Sequence, residues 1–227
     1  MPGFEQAWAS AGQVAGWLTA DQARSLWDAA ALVPEGGRLL EIGSHQGRST
    51  IVLGEAARAR QATVVAVDPH LAGGMFGGAG TRAKFLANVS AAGLDDVVEL
   101  VQAKSTELRP GWGQPLDLLY VDGKHDYWTV RDDLRWVEHL PAGAPVLVHD
   151  AFSSIGVTLG LLAHVLPGRR LRYVGRVGSL ARFEVGDVSG RDRLRMLAEL
   201  PWFLRNVVIK VVLRLARLFG STRPDPY

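Results

Sequence analysis

The chain has 227 residues, of which 48% are hydrophobic and 21% are charged, a composition typical of a globular protein and unlike that of a disordered one. It contains no cysteine, which excludes disulfides, zinc–thiolate centres and thiol nucleophiles. The net charge of +2 is unevenly distributed: residues 1–190 hold 17 Lys/Arg against 20 Asp/Glu, whereas residues 191–227 hold 8 against 3. The basic character therefore belongs to the C-terminal segment, and the body lacks the charge of a nucleic-acid-binding surface.

Strand-like and helix-like hydrophobic periods alternate along the chain. Thr19 and Gln22 have the spacing of a capping box at the start of the first helix. The N-terminus lacks the pattern of a secretory signal, and the body lacks an apolar run long enough for a membrane span, so we expect a cytoplasmic protein. The pattern predicts helices at 19–32, 48–60, 81–92, 126–140 and 154–166, and strands at 38–42, 63–67, 97–102, 116–121, 145–148, 171–175 and 179–185. Leu26 in the first helix is expected in the core, and so are Trp128, Val130, Leu134 and Val137 in the fourth.

This alternation predicts an α/β fold: a Rossmann-like, doubly wound, seven-stranded and mainly parallel sheet that closes with an antiparallel hairpin. We expect a helical cap at 1–36, the sheet domain at 37–187 and a basic amphipathic helical tail at 188–227. In such sheets ligands bind beyond the carboxyl ends of the strands, where the strand order reverses.

Polar residues at or near the predicted strand ends point to a site there: Glu41, Asp68, Asp122, His149 and Asp150. The glycine-rich stretch 71–80 follows the second of these strand ends. It has the composition of a mobile loop, and a lid over the site and a plain surface loop both remain open.

A glycine-bearing turn follows the first strand, in the sequence LLEIGSHQGRST. Gly43 and Gly47 would let backbone N–H groups approach a ligand closely. His45 stands where a dinucleotide fingerprint needs glycine, and the turn is not followed by the Gly-Lys-Ser/Thr of a P-loop. Glu41 would repel a pyrophosphate and attract an ammonium group, and Asp68 is placed to accept hydrogen bonds from a ribose. S-adenosyl-L-methionine (SAM) has a ribose, a cationic amino-acid part and no phosphate.

These motifs, followed by VAVDPH and LLYVDGKHDYWTVRDDLRWVEHLPAGAPVLVHD, resemble the class I SAM-dependent methyltransferases over residues 39–185. More narrowly, the chain resembles the small-molecule and sugar O-methyltransferases with a D-G-x-H-x-Y segment and a strand that ends in His-Asp. The resemblance implies residues that contact the three parts of the cofactor and residues that shape the turn. The methionine part would be lined by Glu41, Gly43 and Ser44, the turn shaped by Gly47 and Ser49, the ribose bound by Asp68, and the adenine contacted by Lys104 and Ser105.

Methyl transfer to oxygen needs an aligned acceptor, a base for its proton and charge to stabilise the developing oxyanion. His125 is the predicted base, since its ordinary pKa of about 6.5 suits this role at neutral pH. Asp122 and His149 complete the predicted catalytic set. The resemblance implies Mg²⁺ or another divalent cation held by Asp122 and Asp150, with His149 as a departure from the two-carboxylate pattern. A turn at Asp122, helix capping by His125 or Asp150, and a core position for His149 remain open.

The sequence thus predicts an O-methyltransferase that acts on a hydroxyl of a small molecule or glycan, preferably a saccharide or glycolipid. Two alternatives remain: a hydroxylase-like enzyme on the same fold, and a non-catalytic module that binds SAM or a membrane. A nicotinamide oxidoreductase is disfavoured by His45.

The tail at 202–219 reads as an amphipathic helix. At about 100° per residue, Lys210, Arg214 and Arg217 form one stripe beside a wide apolar arc. This pattern is typical of a helix that lies at the inner face of a membrane. Packing on the body or in a homo-oligomer, and recognition of another anion by the basic tail, remain open.

Overall fold

A computed structural model describes residues 3–71 and 79–218. Seven strands form one sheet in the order β3-β2-β1-β4-β5-β7-β6. Strands β1 to β5 run parallel, and β7 and β6 are antiparallel at one edge, which confirms the predicted architecture. The strands are β1 (Arg38–Ile42), β2 (Thr63–Val67), β3 (Val98–Val101), β4 (Leu118–Val121), β5 (Pro145–Val148), β6 (Leu171–Val177) and β7 (Leu180–Val185).

Helices cover both faces of the sheet. Thr19 caps its helix through the predicted capping box with Gln22. The described part of the helical tail expected at 188–227 consists of two helices, and Ser189 and Asp192 form the capping box that starts the first of them. The α-helices are α1 (Phe4–Ala11), α2 (Ala20–Ala30), α3 (Arg48–Arg58), α4 (Ala79–Ala91), α5 (Ser105–Leu108), α6 (Tyr127–Asp133), α7 (Ile155–His164), α8 (Gly190–Leu197) and α9 (Leu200–Leu218); 3-10 turns cover Arg109–Gly111 and Leu134–His139.

The core consists of two apolar layers, one on each side of the sheet. Leu39 belongs to the layer beneath α2 and α3, and Leu40 to the layer beneath α6 and α7. Successive residues of a strand point to opposite faces, so strands buried on both sides read as continuous apolar runs. Leu26 is buried in the first layer, as the sequence predicts.

The predicted helix at 126–140 is shorter than expected. It is α-helical to Asp133 and then continues as a 3-10 helix, whose three-residue turn keeps Leu134 and Val137 on the buried side. Trp128 was expected in the core, and this was wrong: it is 64% exposed. It lies about 200° around the helix from the buried Val130, which directs it to the other side.

Within the described residues, no helix is both long and apolar enough to cross a membrane. The predicted lid, 71–80, falls mostly outside the described residues, and so do the side chains of Arg217 and Phe219.

Candidate active site at the carboxyl ends of the strands

The site lies where the strand order reverses, between β1 and β4. The last residues of the four central strands are in register: Ile42 pairs with Val67 and with Val121, and Val121 pairs with Val148. The residues that follow these strands therefore meet at one edge of the sheet. The structure brings together Asp122, His149 and Asp150, as the strand-end positions suggested, and Glu41 and Asp68 lie near Asp122.

Gly43 allows the first and fourth strand ends to touch. Its φ is +90°, and a Cβ at this position would lie 2.2 Å from the carbonyl oxygen of Asp122. The Gly43 N–H donates to Val67 O at 2.9 Å, and the Asp122 N–H donates to Ile42 O at 2.8 Å. A glycine is required by both the backbone conformation and the space. The turn therefore fixes the position of Asp122 relative to the expected cofactor pocket.

Asp68 ties the glycine turn to the end of β2. Its Oδ2 accepts from His45 N at 2.9 Å and its Oδ1 from His70 N at 2.8 Å. The His70 ring nitrogen Nε2 lies 3.0 Å from His45 O. Both histidines have positive φ, an unusual conformation that this network supports. Each carboxylate oxygen keeps a second lone pair, which leaves room for the predicted ribose hydroxyls.

Glu41 differs from the sequence expectation. It is fully buried, and its two carboxyl oxygens accept from the hydroxyls of Ser49 and Thr50 on α3. Burial raises the pKa of Glu41 to about 8, and the charges of Asp122 and Asp68 add to the effect. At neutral pH the group is mostly uncharged, so it does not supply the negative charge expected to attract an ammonium group. Its hydrogen bonds instead hold the start of α3 against β1.

A cavity of about 30 Å³ lies beside the glycine turn. Residues 15–18 form its other wall, and Arg48 holds this segment by donating to the carbonyl oxygens of Gly12, Gly16 and Leu18. Ser44 lines the cavity, and its hydroxyl is buried without a hydrogen-bond partner among the described residues. An unpaired buried hydroxyl is costly, so this atom is available to a polar ligand. The cavity is open to solvent on one side, so a ligand can enter it from there.

Two carboxylates and two imidazoles form a cluster beyond β4 and β5. His125 lies between the carboxylates: its Nε2 is 3.3 Å from Asp122 Oδ1 and its Nδ1 is 3.0 Å from Asp150 Oδ2. His149 Nδ1 is also 3.3 Å from Asp122 Oδ1. Tyr120 OH donates to Asp122 Oδ2 at 2.9 Å, which orients the carboxylate from below.

The carboxylates and imidazoles of the cluster stabilise one another in their charged forms. Burial alone would raise the pKa of Asp122, but His149 and His125 outweigh it and hold this pKa well below its usual range. Burial alone would lower the pKa of His149, and the Asp122 carboxylate overcomes this to raise it to about 9. The pKa of His125 is likewise raised, because Asp122 and Asp150 outweigh its burial.

The cluster also has the donors of a metal site. One atom each of Asp122, His125 and His149 lies within 4.8 Å of the others, and His149 Nδ1 is buried without an aligned hydrogen-bond partner in the described part of the chain. These observations fit a divalent cation. The set differs from the predicted Asp122, Asp150 and His149, since Asp150 instead contacts His125 and accepts from Ser153. Two imidazoles and one carboxylate suit a transition metal such as Mn²⁺ or Fe²⁺ better than Mg²⁺.

The predicted adenine contacts are engaged elsewhere. The Ser105 hydroxyl donates to the buried Asp133 carboxyl, whose pKa burial raises to about 7. Lys104 is exposed and pairs with Glu107 at 2.9 Å. Gly47 begins α3 with φ +93°, in agreement with its expected role in the turn.

Sequence reasoning missed Gln22 as part of the site. Its Oε1 accepts from Thr19 N and lies 3.4 Å from His149 Nε2, and its Nε2 donates to Ser179. The Thr19 N–H can only donate, so the amide oxygen of Gln22 faces His149. The capping box was visible in the sequence, but only the tertiary structure places it against β5.

A family model described as "Methyltransferase domain" matches residues 40–151. A putative O-methyltransferase from Klebsiella pneumoniae is similar in structure, with 19% identity, 82% of this chain and 92% of that chain covered, and a TM-score of 0.61. The SAH-bound methyltransferase PaMTH1 from Podospora anserina has 16% identity, 81% and 88% coverage and a TM-score of 0.63. The O-methyltransferase TomG from Streptomyces achromogenes, involved in tomaymycin synthesis and solved with SAM, has 18% identity, 81% and 87% coverage and a TM-score of 0.59.

Proposed function

Residues 40–151 are a methyltransferase domain and the chain has the class I, SAM-dependent methyltransferase fold; from this premise we propose that it methylates a hydroxyl group of a saccharide, in a glycan or glycolipid. The observation that carries methyl transfer is the contact between the glycine turn and the Asp122 backbone, whereas the saccharide acceptor comes from the sequence prediction. This contact puts a cofactor bound at the turn next to the ionisable cluster.

The residues divide between binding and proton transfer. Ser44 offers its unpaired hydroxyl to the methionine part of SAM, with Gly43, Gly47 and Ser49 shaping the turn, and Asp68 offers its lone pairs to the ribose. SAM, when bound there, would supply an electrophilic methyl group for in-line transfer to the acceptor oxygen, with the electron pair of the broken carbon–sulfur bond left on sulfur. The hydroxyl proton passes to His125, and Asp122 and Asp150 stabilise the resulting imidazolium.

A divalent cation held by Asp122, His125 and His149 would supply positive charge beside the acceptor oxygen. Binding of the cation by His125 and proton acceptance by the same imidazole exclude one another. Transfer that survives a chelator would support the base role of His125, and transfer restored only by added Mn²⁺ or Mg²⁺ would support the metal role.

The first experiment is calorimetric titration with S-adenosylhomocysteine, with NAD as the control. Binding of S-adenosylhomocysteine alone supports the proposal, and binding of NAD alone contradicts it. Label transfer from methyl-labelled SAM to hydroxylated glycans and glycolipids then tests the acceptor class.

Asp122→Asn tests the cluster. It keeps the backbone contact with Gly43 but removes the charge that faces both histidines, so we expect S-adenosylhomocysteine binding within about twofold of wild type and a loss of transfer of at least about 100-fold. Asp95→Asn, at an exposed aspartate after α4, is the matched control. Unchanged turnover of Asp122→Asn would remove this residue from the mechanism.

A second candidate is the hydroxylase-like alternative. It is favoured by one observation, since two imidazoles with one carboxylate is the donor set of many non-haem iron oxygenases. Binding of S-adenosylhomocysteine without label transfer to any acceptor, together with iron-dependent oxygen uptake, would favour it.

The remaining expectations stay proposals. They are the division of the chain at 36–37 and 187–188, a homo-oligomer and a cytoplasmic location. Sedimentation equilibrium tests the oligomer, and cell fractionation tests the location.

A further inference from the structure

The last helix, α9, is fixed to the body by its polar side. Asn206 is fully buried and donates to Phe152 O at 3.1 Å, and Lys210 donates to Ser153 O at 2.9 Å. Near the start of the helix, the Arg176 guanidinium lies 3.8 Å from the centre of the Trp202 ring. The sequence analysis left packing of this helix on the body open, and the structure shows such packing at Lys210, which donates to a carbonyl oxygen of the loop after β5.

The opposite side of α9 is apolar and uncovered. At about 100° per residue, the five exposed apolar side chains of this side lie within an arc of about 100° around the helix axis and face away from Asn206. Arg205 and Arg214 lie at the two margins of this arc, and in the described part of the helix no charged residue lies inside it. The members, each between 51% and 61% exposed, are Leu204, Val208, Val211, Val212 and Leu215.

Charge indicates what covers this face. The segment 191–227 carries a balance of +5 while residues 1–190 carry −3, so an anionic surface attracts the tail and a second copy of this chain would bring its own basic tail against it. An apolar arc with basic margins is the pattern of a helix that lies in a membrane interface.

We propose that the outward face of α9, defined by these five residues, docks this protein on an anionic phospholipid surface. Asn206 and Lys210 hold the loop that begins at Asp150. Docking through the other side of the same helix would therefore place this loop about one helix diameter, ~10 Å, from the membrane surface. The proposal concerns the location of the enzyme and does not depend on which acceptor it methylates.

Vesicle co-sedimentation of the full chain tests the proposal. The probes are vesicles of phosphatidylcholine alone and vesicles with about 30 mol% phosphatidylglycerol, at about 0.1 M and about 0.5 M salt. The variants are Leu204→Gln with Leu215→Gln, and Leu32→Gln as the control, since Leu32 is an even more exposed leucine outside α9. Thermal unfolding and S-adenosylhomocysteine binding verify that each variant is folded.

We expect binding at least about tenfold stronger to anionic than to neutral vesicles, and weaker binding at the higher salt. The double variant loses at least about tenfold in binding, and Leu32→Gln stays within about twofold of wild type. Absence of vesicle binding by the wild type, or binding that the double variant does not change, overturns the proposal. A wild-type dimer that the double variant dissociates, without vesicle binding, identifies the face as an interface between copies and also overturns it.

Discussion

Glu41 makes the stability of this protein depend on pH in a way that one substitution can remove. Its pKa is about 8 in the folded chain, against 4.5 as the ordinary value. Because the folded pKa is the higher one, the stabilisation by Glu41 is complete below about pH 4.5 and is lost as the pH rises to 8. At about 1.4 kcal/mol per unit, the free energy of unfolding falls by about 3 kcal/mol between about pH 5 and pH 7.5 through this group alone.

Glu41→Gln removes this titration. The amide oxygen can accept from one of the Ser49 and Thr50 hydroxyls, and the amide nitrogen can donate to the other, so the buried contacts survive. Between pH 5 and pH 7.5 the unfolding free energy of wild type should therefore fall by about 3 kcal/mol more than that of the variant. Other groups titrate over the same range, so the quantity to compare is the difference between the two proteins.

Urea unfolding at several pH values measures this difference by linear extrapolation. Glu35→Gln, at an exposed glutamate, is the control and should follow the wild-type profile. Parallel profiles for wild type and Glu41→Gln, within about 0.5 kcal/mol, would refute the reasoning, because they would mean that Glu41 keeps its ordinary protonation in the folded state.

Gly43→Ala should lower the unfolding free energy by at least about 2 kcal/mol and weaken S-adenosylhomocysteine binding, because the added Cβ meets the Asp122 carbonyl oxygen. Thermal unfolding and calorimetry measure the two effects, and a stable variant with intact binding would contradict the close contact. Gln22→Met removes the acceptor that faces His149 Nε2 and should weaken Mn²⁺ binding about 10- to 100-fold with little change in cofactor affinity. Ser179→Ala, which removes only the contact to the Gln22 amide nitrogen, should change Mn²⁺ binding much less, and equal losses in the two variants would point to a purely structural role.

The strand ends were predictable because they depend on local patterns. Buried parallel strands are continuous apolar runs, and each strand that ends in a polar residue delivers it to the same edge. Asp122, His149 and Asp150 meet at that edge for this reason. The glycine turn was equally predictable, because a positive φ and a close backbone contact both require a residue without a Cβ, and Gly43 meets both conditions.

What each side chain does at that edge was decided by the tertiary structure. The sequence gives Glu41 a position, but only its burial against Ser49 and Thr50 makes it largely uncharged at neutral pH. The same holds for the replacement of Asp150 by His125 in the group that fits a metal, which follows from distances between side chains of two loops.

Contacts between residues far apart in the chain are what the sequence pattern predicts least. Helical periodicity identified α9 and its apolar arc, because both repeat at the helical period. Which side of the helix meets the body depends on carbonyl oxygens of residues 152 and 153, some 50 residues earlier in the chain, that accept from Asn206 and Lys210. Periodicity carries no information about such partners, so the sequence determined the amphipathic helix and only the fold determined which face it leaves uncovered.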